Sequence, residues 1–157
     1  MIAKWLITNI CIVFMILIWS MAQGYGNPTI LIGKLFSQVA FILFLVNLNM
    51  YFVFLFIRRT KVRAAKIKLA KISKRMMKVH IPLAISATTL VLFHAILMAL
   101  VHDWNIKTAS GALAVFGLAI LLFSGWLRRK KATGKRRRFH YTMAFIFFGF
   151  ILFHIFI

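Results

Sequence analysis

The chain contains 157 residues, of which 63% are hydrophobic and 15% aromatic, whereas soluble domains are only about half apolar. Its 21 Lys and Arg residues are opposed by one acidic residue, Asp103, which gives a net charge of +20. A single carboxylate excludes the paired acids of glycosidases and the carboxylate cages that bind Mg²⁺ or Ca²⁺. The single cysteine, Cys11, excludes internal disulfides, covalent CxxCH haem attachment, and Cys-ligated iron–sulfur or zinc sites. The composition indicates a membrane protein whose chemistry depends on histidine or on a cofactor.

Five apolar segments follow one another along the chain, and each approaches the roughly 20 residues that a helix needs to cross about 30 Å of hydrocarbon. They cover residues 5–22, 30–57, 80–101, 109–127 and 140–157. No long repeat and no Gly/Ser-rich linker divides them. We therefore predict a single all-α domain over residues 1–157, an integral membrane bundle of about five transmembrane helices.

The first of these segments also resembles a secretory signal. Lys4 precedes its apolar core, and Ser20, Met21 and Ala22 provide the small residues of a cleavage site. We interpret the segment as an uncleaved anchor. The orientation of the other four helices would be the same without it.

Most of the positive charge falls into two runs between apolar segments. Ten Lys and Arg residues lie in residues 58–78 and eight in residues 128–139, so the two runs hold 18 of the 21. Because Lys and Arg are retained on the cytoplasmic side of membranes, we expect both runs to be basic cytoplasmic loops. The N-terminus is then cytoplasmic too, and we predict a multi-pass protein of the cell membrane.

The first basic run has the spacing of an amphipathic helix. Its charges are not interleaved with aromatic residues that would stack on bases, so no nucleic-acid partner is expected. The pattern instead predicts a helix that lies on anionic lipid headgroups. At helical spacing, the apolar side comprises Val62, Ala65, Leu69, Ile72 and Met76, and the basic side comprises Arg63, Lys71, Lys74 and Lys78.

Four of the five histidines form two pairs with the same spacing. His80 and His94 are 14 residues apart, and so are His140 and His154. In an α-helix, 14 residues fall about 40° short of four full turns and rise about 21 Å, so both histidines of a pair share one face at two depths. The two helices that carry the pairs run in the same direction, because one apolar segment separates them. His80 is therefore expected at the cytoplasmic level of His140, and His94 at the outer level of His154.

Two imidazoles that face each other at each of two depths predict two b-type haems. Each iron would be bound by Nε2 of one histidine from each helix, His80 with His140 and His94 with His154. Imidazole groups are costly in hydrocarbon and indicate function, although the same residues are also suited to hydrogen bonding between helices. A single Zn²⁺ or copper ion is excluded, because ligands about 21 Å apart along one helix cannot bind one ion.

Further candidate cofactor-binding residues follow from the positions of these histidines. Ala87 and Phe147 lie seven residues from each histidine of their own pair. We expect both between the two haems, although Phe147 is equally suited to core packing. Lys78 and Arg138 each precede an inner histidine by two residues and are predicted to neutralise haem propionates. No catalytic residue is predicted.

The other polar and glycine residues of the apolar region have structural or peripheral interpretations. Asn47 is predicted to hydrogen-bond between helices, and Gly117 and Gly149 are predicted to allow close helix packing. His102, with Asp103, follows the outer end of the third segment. It is the candidate for an interfacial histidine or for part of a quinol or proton site.

A longer set of residues surrounds the two histidine pairs. It comprises Arg75 to His80, His94, Ser110 and Gly111, Ser124 to Arg129, Gly134 to Tyr141, and His154. With these residues, the stretch 75–157 resembles the ferric reductase-like transmembrane domain. That family includes the membrane cores of NADPH oxidases and ferric reductases and the haem-binding membrane subunit of periplasmic methionine sulfoxide reductase. The resemblance implies that the paired histidines are axial haem ligands, that electrons pass from inside to outside, and that an aromatic residue lies between the haems at Phe147.

The resemblance covers half of the chain and does not extend to a flavin and nicotinamide domain. The sequence has no GxGxxG motif, so we do not expect it to bind a dinucleotide. We predict a membrane di-haem b-type cytochrome, the electron-transfer subunit of a larger oxidoreductase complex. Its electrons would come from a reduced cytoplasmic flavoprotein attracted by the basic loops, or from membrane quinol, and pass to an external acceptor. The alternatives are a quinol-oxidising cytochrome b subunit and a haem-free basic scaffold that binds anionic lipid.

Overall fold

The chain folds into long α-helices. The structure is a computed structural model that describes residues 26–157 together with residues 7, 8, 11, 13–16, 18, 19 and 22. Four helices account for most of the described residues, and no strand occurs among these residues. The helices are α1 (Pro28–Arg59), α2 (Arg63–Val101), α3 (Ile106–Lys130) and α4 (Gly134–Phe156). The predicted all-α class is confirmed.

The first predicted segment, residues 5–22, is described only in part. Each of its described residues is helical. Its limits, and the question of whether it is an anchor or a cleaved signal, lie outside the described residues.

Within the described part of the chain, four helices are long and apolar enough to cross a membrane. They contain 32, 39, 25 and 23 residues, and each therefore exceeds the roughly 20 that hydrocarbon requires. Large apolar side chains are exposed along them, including Ile85, Leu100 and Phe116. Helices that are apolar on all sides are typical of membrane spans, where lipid rather than water covers their outer faces. The protein therefore has the helical character of a membrane protein.

The helices extend well into the basic runs, so the predicted loops were drawn too long. Residues 58–78 are helical from Arg63 onward, and only residues 60–62 separate α1 from α2. Residues 131–133 are likewise all that separates α3 from α4. The reason is that Lys, Arg and Ala are strong helix formers, and the first run contains neither Gly nor Pro. The apolar and basic sides predicted for a separate surface helix belong to the first turns of α2.

Side-chain caps begin three of the helices. Each cap gives an acceptor to a backbone N–H that the helix itself leaves without a partner. The connections between consecutive helices are short, with three residues between α1 and α2, four between α2 and α3, and three between α3 and α4. The caps are Asn27, which accepts from the Thr29 N–H at 2.8 Å, Asn105, which accepts from the Thr108 N–H at 3.0 Å, and Thr133, which accepts from the Arg136 N–H at 3.2 Å.

The contacts divide the chain into two compact units, Met1–His94 and Ala95–Ile157. The first unit contains hairpin 1, formed by α1 and the part of α2 up to His94. The second contains hairpin 2, formed by α3 and α4. In each hairpin, early residues of one helix contact late residues of the other, so the two helices are antiparallel.

Small residues on α3 allow the two helices of hairpin 2 to approach closely. A Cβ at Gly117 would lie 2.7 Å from Phe150 Cδ2 and 3.6 Å from Phe147 Cδ2, so the prediction of close packing at Gly117 is confirmed. The same prediction for Gly149 is wrong, because a Cβ there would meet no atom within 4 Å. Its position on α4 is open rather than packed.

Candidate functional site: four paired histidines

Both histidines of α2 contact α1 through the same ring nitrogen. His80 Nδ1 lies 3.1 Å from Asn47 Oδ1, and His94 Nδ1 lies 2.8 Å from the Gly33 carbonyl oxygen. Gly33 and Asn47 are themselves 14 residues apart. The spacing of the histidines on α2 is therefore matched by the spacing of their partners on the antiparallel α1.

Hairpin 2 contains the same arrangement with different partners. His140 Nδ1 lies 2.9 Å from Ser124 Oγ, and His154 Nδ1 lies 2.9 Å from Ser110 Oγ. Ser110 and Ser124 are also 14 residues apart. Two hairpins thus present two histidines each, at one common spacing, with Nδ1 turned to the preceding helix.

The partners in hairpin 1 determine which nitrogen carries the proton. A carbonyl oxygen only accepts hydrogen bonds, so His94 donates its Nδ1–H to Gly33. Asn47 donates a hydrogen bond from Nδ2 to the backbone carbonyl of His80 at 3.2 Å. The other atom of its amide, Oδ1, is therefore the one that faces the imidazole. His80 therefore also donates from Nδ1.

The serines of hairpin 2 impose the same direction. Ser124 donates its hydroxyl to the Leu121 carbonyl at 2.6 Å, and Ser110 donates to the Lys107 carbonyl at 2.7 Å. A hydroxyl has a single proton, so each Oγ can only accept from the histidine. His140 and His154 therefore donate from Nδ1 as well.

All four imidazoles thus have one chemical form. In a neutral imidazole with its proton on Nδ1, the lone pair lies on Nε2. Metal-binding histidines nearly always donate their other N–H to a carbonyl, a carboxylate or water, which fixes the tautomer and the ring orientation. The donor set of the four histidines therefore fits metal ligation through Nε2.

Two glycines allow the rings of hairpin 2 to lie close to α3. A Cβ at Gly125 would lie 3.3 Å from His140 Cε1, and a Cβ at Gly111 would lie 3.1 Å from His154 Cε1. Both distances are shorter than ordinary van der Waals contact. Each glycine directly follows the serine that accepts from the same imidazole, so a Ser-Gly pair contacts each ring.

The residues midway between the histidines are buried. Ala87 on α2 is 9% exposed and Phe147 on α4 is 4% exposed. The midpoints on the partner helices are Ala40, also buried, and Gly117, against which the Phe147 ring packs. Each hairpin therefore has a packed middle layer between two histidine layers, and Phe147 is the buried residue of α4.

The charged and peripheral residues predicted from the sequence lie at the protein surface. Lys78 and Arg138 are exposed, as are His102 and Asp103. Two other cations close to the α3–α4 connection are at least partly buried. Arg136 donates from Nη1 to the Leu127 carbonyl at 2.9 Å. The half-buried Arg128 is close enough to Arg137 for the two positive charges to repel each other.

The partners of the histidines were not identified from the sequence, although part of their pattern is visible there. Ser110-Gly111 and Ser124-Gly125 repeat at the same interval as His140 and His154, and this repeat predicts the contacts once the helices are known to be antiparallel. The interpretation of Asn47 as an interhelical hydrogen-bonding residue is confirmed. The Gly33 carbonyl has no side-chain signature.

The described residues contain no cluster of three or more His, Cys, Asp or Glu side chains that would bind a metal ion. A haem iron with two axial histidines needs only two protein ligands. Each of the four histidines in these hairpins is held singly, by its own neighbour.

No protein-family model, curated protein or solved structure matches the chain. The function is therefore inferred from the site.

Proposed function

We propose that the protein is a membrane di-haem b-type cytochrome that transfers electrons between a separate donor and a separate acceptor. One observation carries the proposal. All four paired histidines donate Nδ1–H to a neighbouring helix, so in the neutral imidazole the lone pair of each lies on Nε2. This is the form of imidazole that binds iron axially.

The common spacing of the histidines and the predicted common direction of α2 and α4 support one pairing of the ligands. His80 with His140 would hold one haem, and His94 with His154 would hold the other. The haems would supply reversible one-electron chemistry. The chain would supply fixed ligand orientation, through the Nδ1 acceptors, and the low dielectric of a helical membrane protein.

A purely structural role accounts poorly for these residues. Hydrogen bonds between membrane helices are made as well by Ser, Thr or Asn, whereas imidazole is more costly in hydrocarbon and is found there mainly for function. The same tautomer at four positions, repeated at one spacing in two hairpins, favours ligation.

The middle layers are compatible with this assignment. Ala87 and Phe147 would lie between the levels of the two haems, and the resemblance to ferric reductase-like domains implies an aromatic residue at the Phe147 position. Ala87 has a small side chain, and Phe147 is held against Gly117.

Haem content tests the proposal. The full chain, purified from cells supplied with haem, should contain two b-type haems per chain and show the low-spin spectrum of bis-histidine iron. Pyridine haemochrome measured against protein concentration gives the ratio. A ratio below one haem per chain in the assembled protein contradicts the proposal and favours the scaffold.

Orientation in the membrane is a second expectation. The protein would lie in the cell membrane with the short α3–α4 connection in the cytoplasm, because its flanking turns are rich in Lys and Arg. The Ala132→Cys and Trp104→Cys variants place a thiol at exposed positions on the predicted inner and outer sides. Both are made with Cys11→Ser, because Cys11 is exposed.

An impermeant thiol reagent added to intact cells should label the Trp104→Cys variant and not the Ala132→Cys variant. Permeabilised cells serve as the control, in which both variants should be labelled. Labelling of Ala132→Cys alone in intact cells would mean that the orientation is reversed.

A further inference from the structure

We infer that Ser110 and Ser124 are positioning residues that hold His154 and His140 in the Nδ1–H tautomer, and that the glycine after each serine sets how closely the ring approaches α3. The tautomer part of this inference is independent of haem. Its consequence for ligation rests on the proposed function.

The direction of the serine hydroxyls carries the first part. Each hydroxyl is used by a carbonyl three residues earlier on α3, so the oxygen remains as an acceptor for Nδ1–H. Ser37 on α1 makes the same local bond to the Lys34 carbonyl at 2.8 Å. The local bond is therefore general, and the contact with an imidazole distinguishes the two serines of α3.

Burial explains why the serines would control the tautomer. Ser124 is fully buried and Ser110 is 5% exposed, so water does not readily replace their oxygens. A buried N–H without an acceptor is costly. With the oxygen removed, the imidazole is expected to move its proton to Nε2, which removes the lone pair that would bind iron.

The glycines carry the second part. Glycine is a poor helix former compared with alanine, yet Gly111 and Gly125 lie inside α3. At both positions a Cβ would meet the imidazole Cε1. Gly149, inside α4, has open space instead and is the matched control for a Gly→Ala change.

The two hairpins use different acceptors for their histidines. Hairpin 1 holds its histidines with an amide oxygen and a backbone carbonyl, whereas hairpin 2 uses two hydroxyls. Each proposed haem would therefore have one ligand that a serine change perturbs and one that it leaves intact. Ser124→Ala should affect the haem of His140, and Ser110→Ala that of His154.

The first test reads the tautomer without haem. The full chain is labelled with ¹⁵N-histidine, produced without haem and placed in lipid bilayers, where the nitrogen shifts distinguish a protonated Nδ1 from a protonated Nε2. The unaltered chain and the Ser37→Ala variant should show His140 protonated on Nδ1. In Ser124→Ala, His140 should shift toward protonation on Nε2. An unchanged His140 tautomer in Ser124→Ala overturns the inference.

The second test reads ligation. Ser124→Ala should weaken retention of one haem about 10-fold or more, as expected for the loss of a hydrogen bond behind a metal ligand. Gly125→Ala should also weaken it while His140 keeps its proton on Nδ1, since the acceptor remains. Ser37→Ala and Gly149→Ala should match the unaltered chain.

The outcomes separate the two proposals. If the unaltered chain binds no haem, the proposed function fails, and the tautomer measurement still decides the role of the serines. If it binds two haems that Ser124→Ala and Gly125→Ala leave equally stable, the proposed function stands and the positioning role is refuted.

Discussion

Replacing His140 with alanine should remove one of the two haems and leave the other. His140 lies close to the basic first turns of α4, on the predicted cytoplasmic side, and would be an inner ligand in the proposed arrangement. An iron that loses one of two axial histidines is bound weakly. His80→Ala should remove the same haem. His94→Ala and His154→Ala should each remove the other, and His102→Ala, at an exposed position, should retain both.

Double variants determine which histidines share an iron. If His80 and His140 bind the same haem, then changing both histidines should remove no more haem than changing one. The reason is that the first substitution already releases the haem that the second histidine would bind. The His80→Ala/His140→Ala protein should therefore keep one haem. The His80→Ala/His154→Ala protein should keep none.

Pyridine haemochrome per chain is the measurement for the whole set. Helical content by circular dichroism confirms that each variant is folded. Loss of both haems from the His80→Ala/His140→Ala protein, with one kept by His80→Ala/His154→Ala, would reverse the pairing and would contradict the predicted common direction of the two helices.

The spacing of the histidines was visible in the sequence because it depends on residue type and helical geometry alone. The contacts of the histidines were less visible. The acceptors of the imidazole N–H groups differ in kind: Asn47 accepts through a side-chain amide, and Ser110 and Ser124 accept through hydroxyls. Gly33 accepts through its backbone carbonyl. The two hairpins therefore share a register without sharing residue identities, and a search for sequence repeats does not detect it.

The limits of the helices were predicted less well than their existence. Hydropathy locates the residues that tolerate hydrocarbon, whereas a helix continues as long as its residues favour helical backbone. The basic first turns of α2, from Arg63, illustrate the difference. Residue type alone was also a poor guide at Gly149. A glycine inside a helix suggested close packing, but the structure places Gly149 at an open position.

Reduction of the proposed cytochrome by an acidic flavoprotein should be fast at low salt and should slow as salt is added. The basic residues of the first turns of α2 are exposed, including Lys68, Lys71 and Lys74, and Asp103 is the one acid in the sequence. At 39 residues, α2 is about 58 Å long, roughly twice the hydrocarbon thickness, so its basic half would lie beyond the apolar layer. Anionic lipid would neutralise part of this charge. The remainder should attract an acidic protein donor and raise its rate of encounter.

Charge reversal tests this attraction directly. The Lys68→Glu/Lys71→Glu/Lys74→Glu protein should be reduced at least about 10-fold more slowly by the flavoprotein at low salt, because electrostatic steering raises association rates by about 10- to 1,000-fold. Its haem content should be unchanged. Lys107→Glu, at an exposed position on the predicted outer side, is the matched control and should leave the rate unaltered.

Stopped-flow reduction of membranes that contain the cytochrome separates the protein donor from quinol. With reduced flavoprotein, the rate should depend on salt and on the three lysines of α2. With quinol, the donor would not have to bind at the basic surface of α2. Neither salt concentration nor charge reversal should then change the rate of haem reduction. Fast haem reduction by quinol alone, insensitive to salt and abolished by His102→Ala, would place the entry of electrons at the outer end of α2, and the cytoplasmic donor would then be wrong.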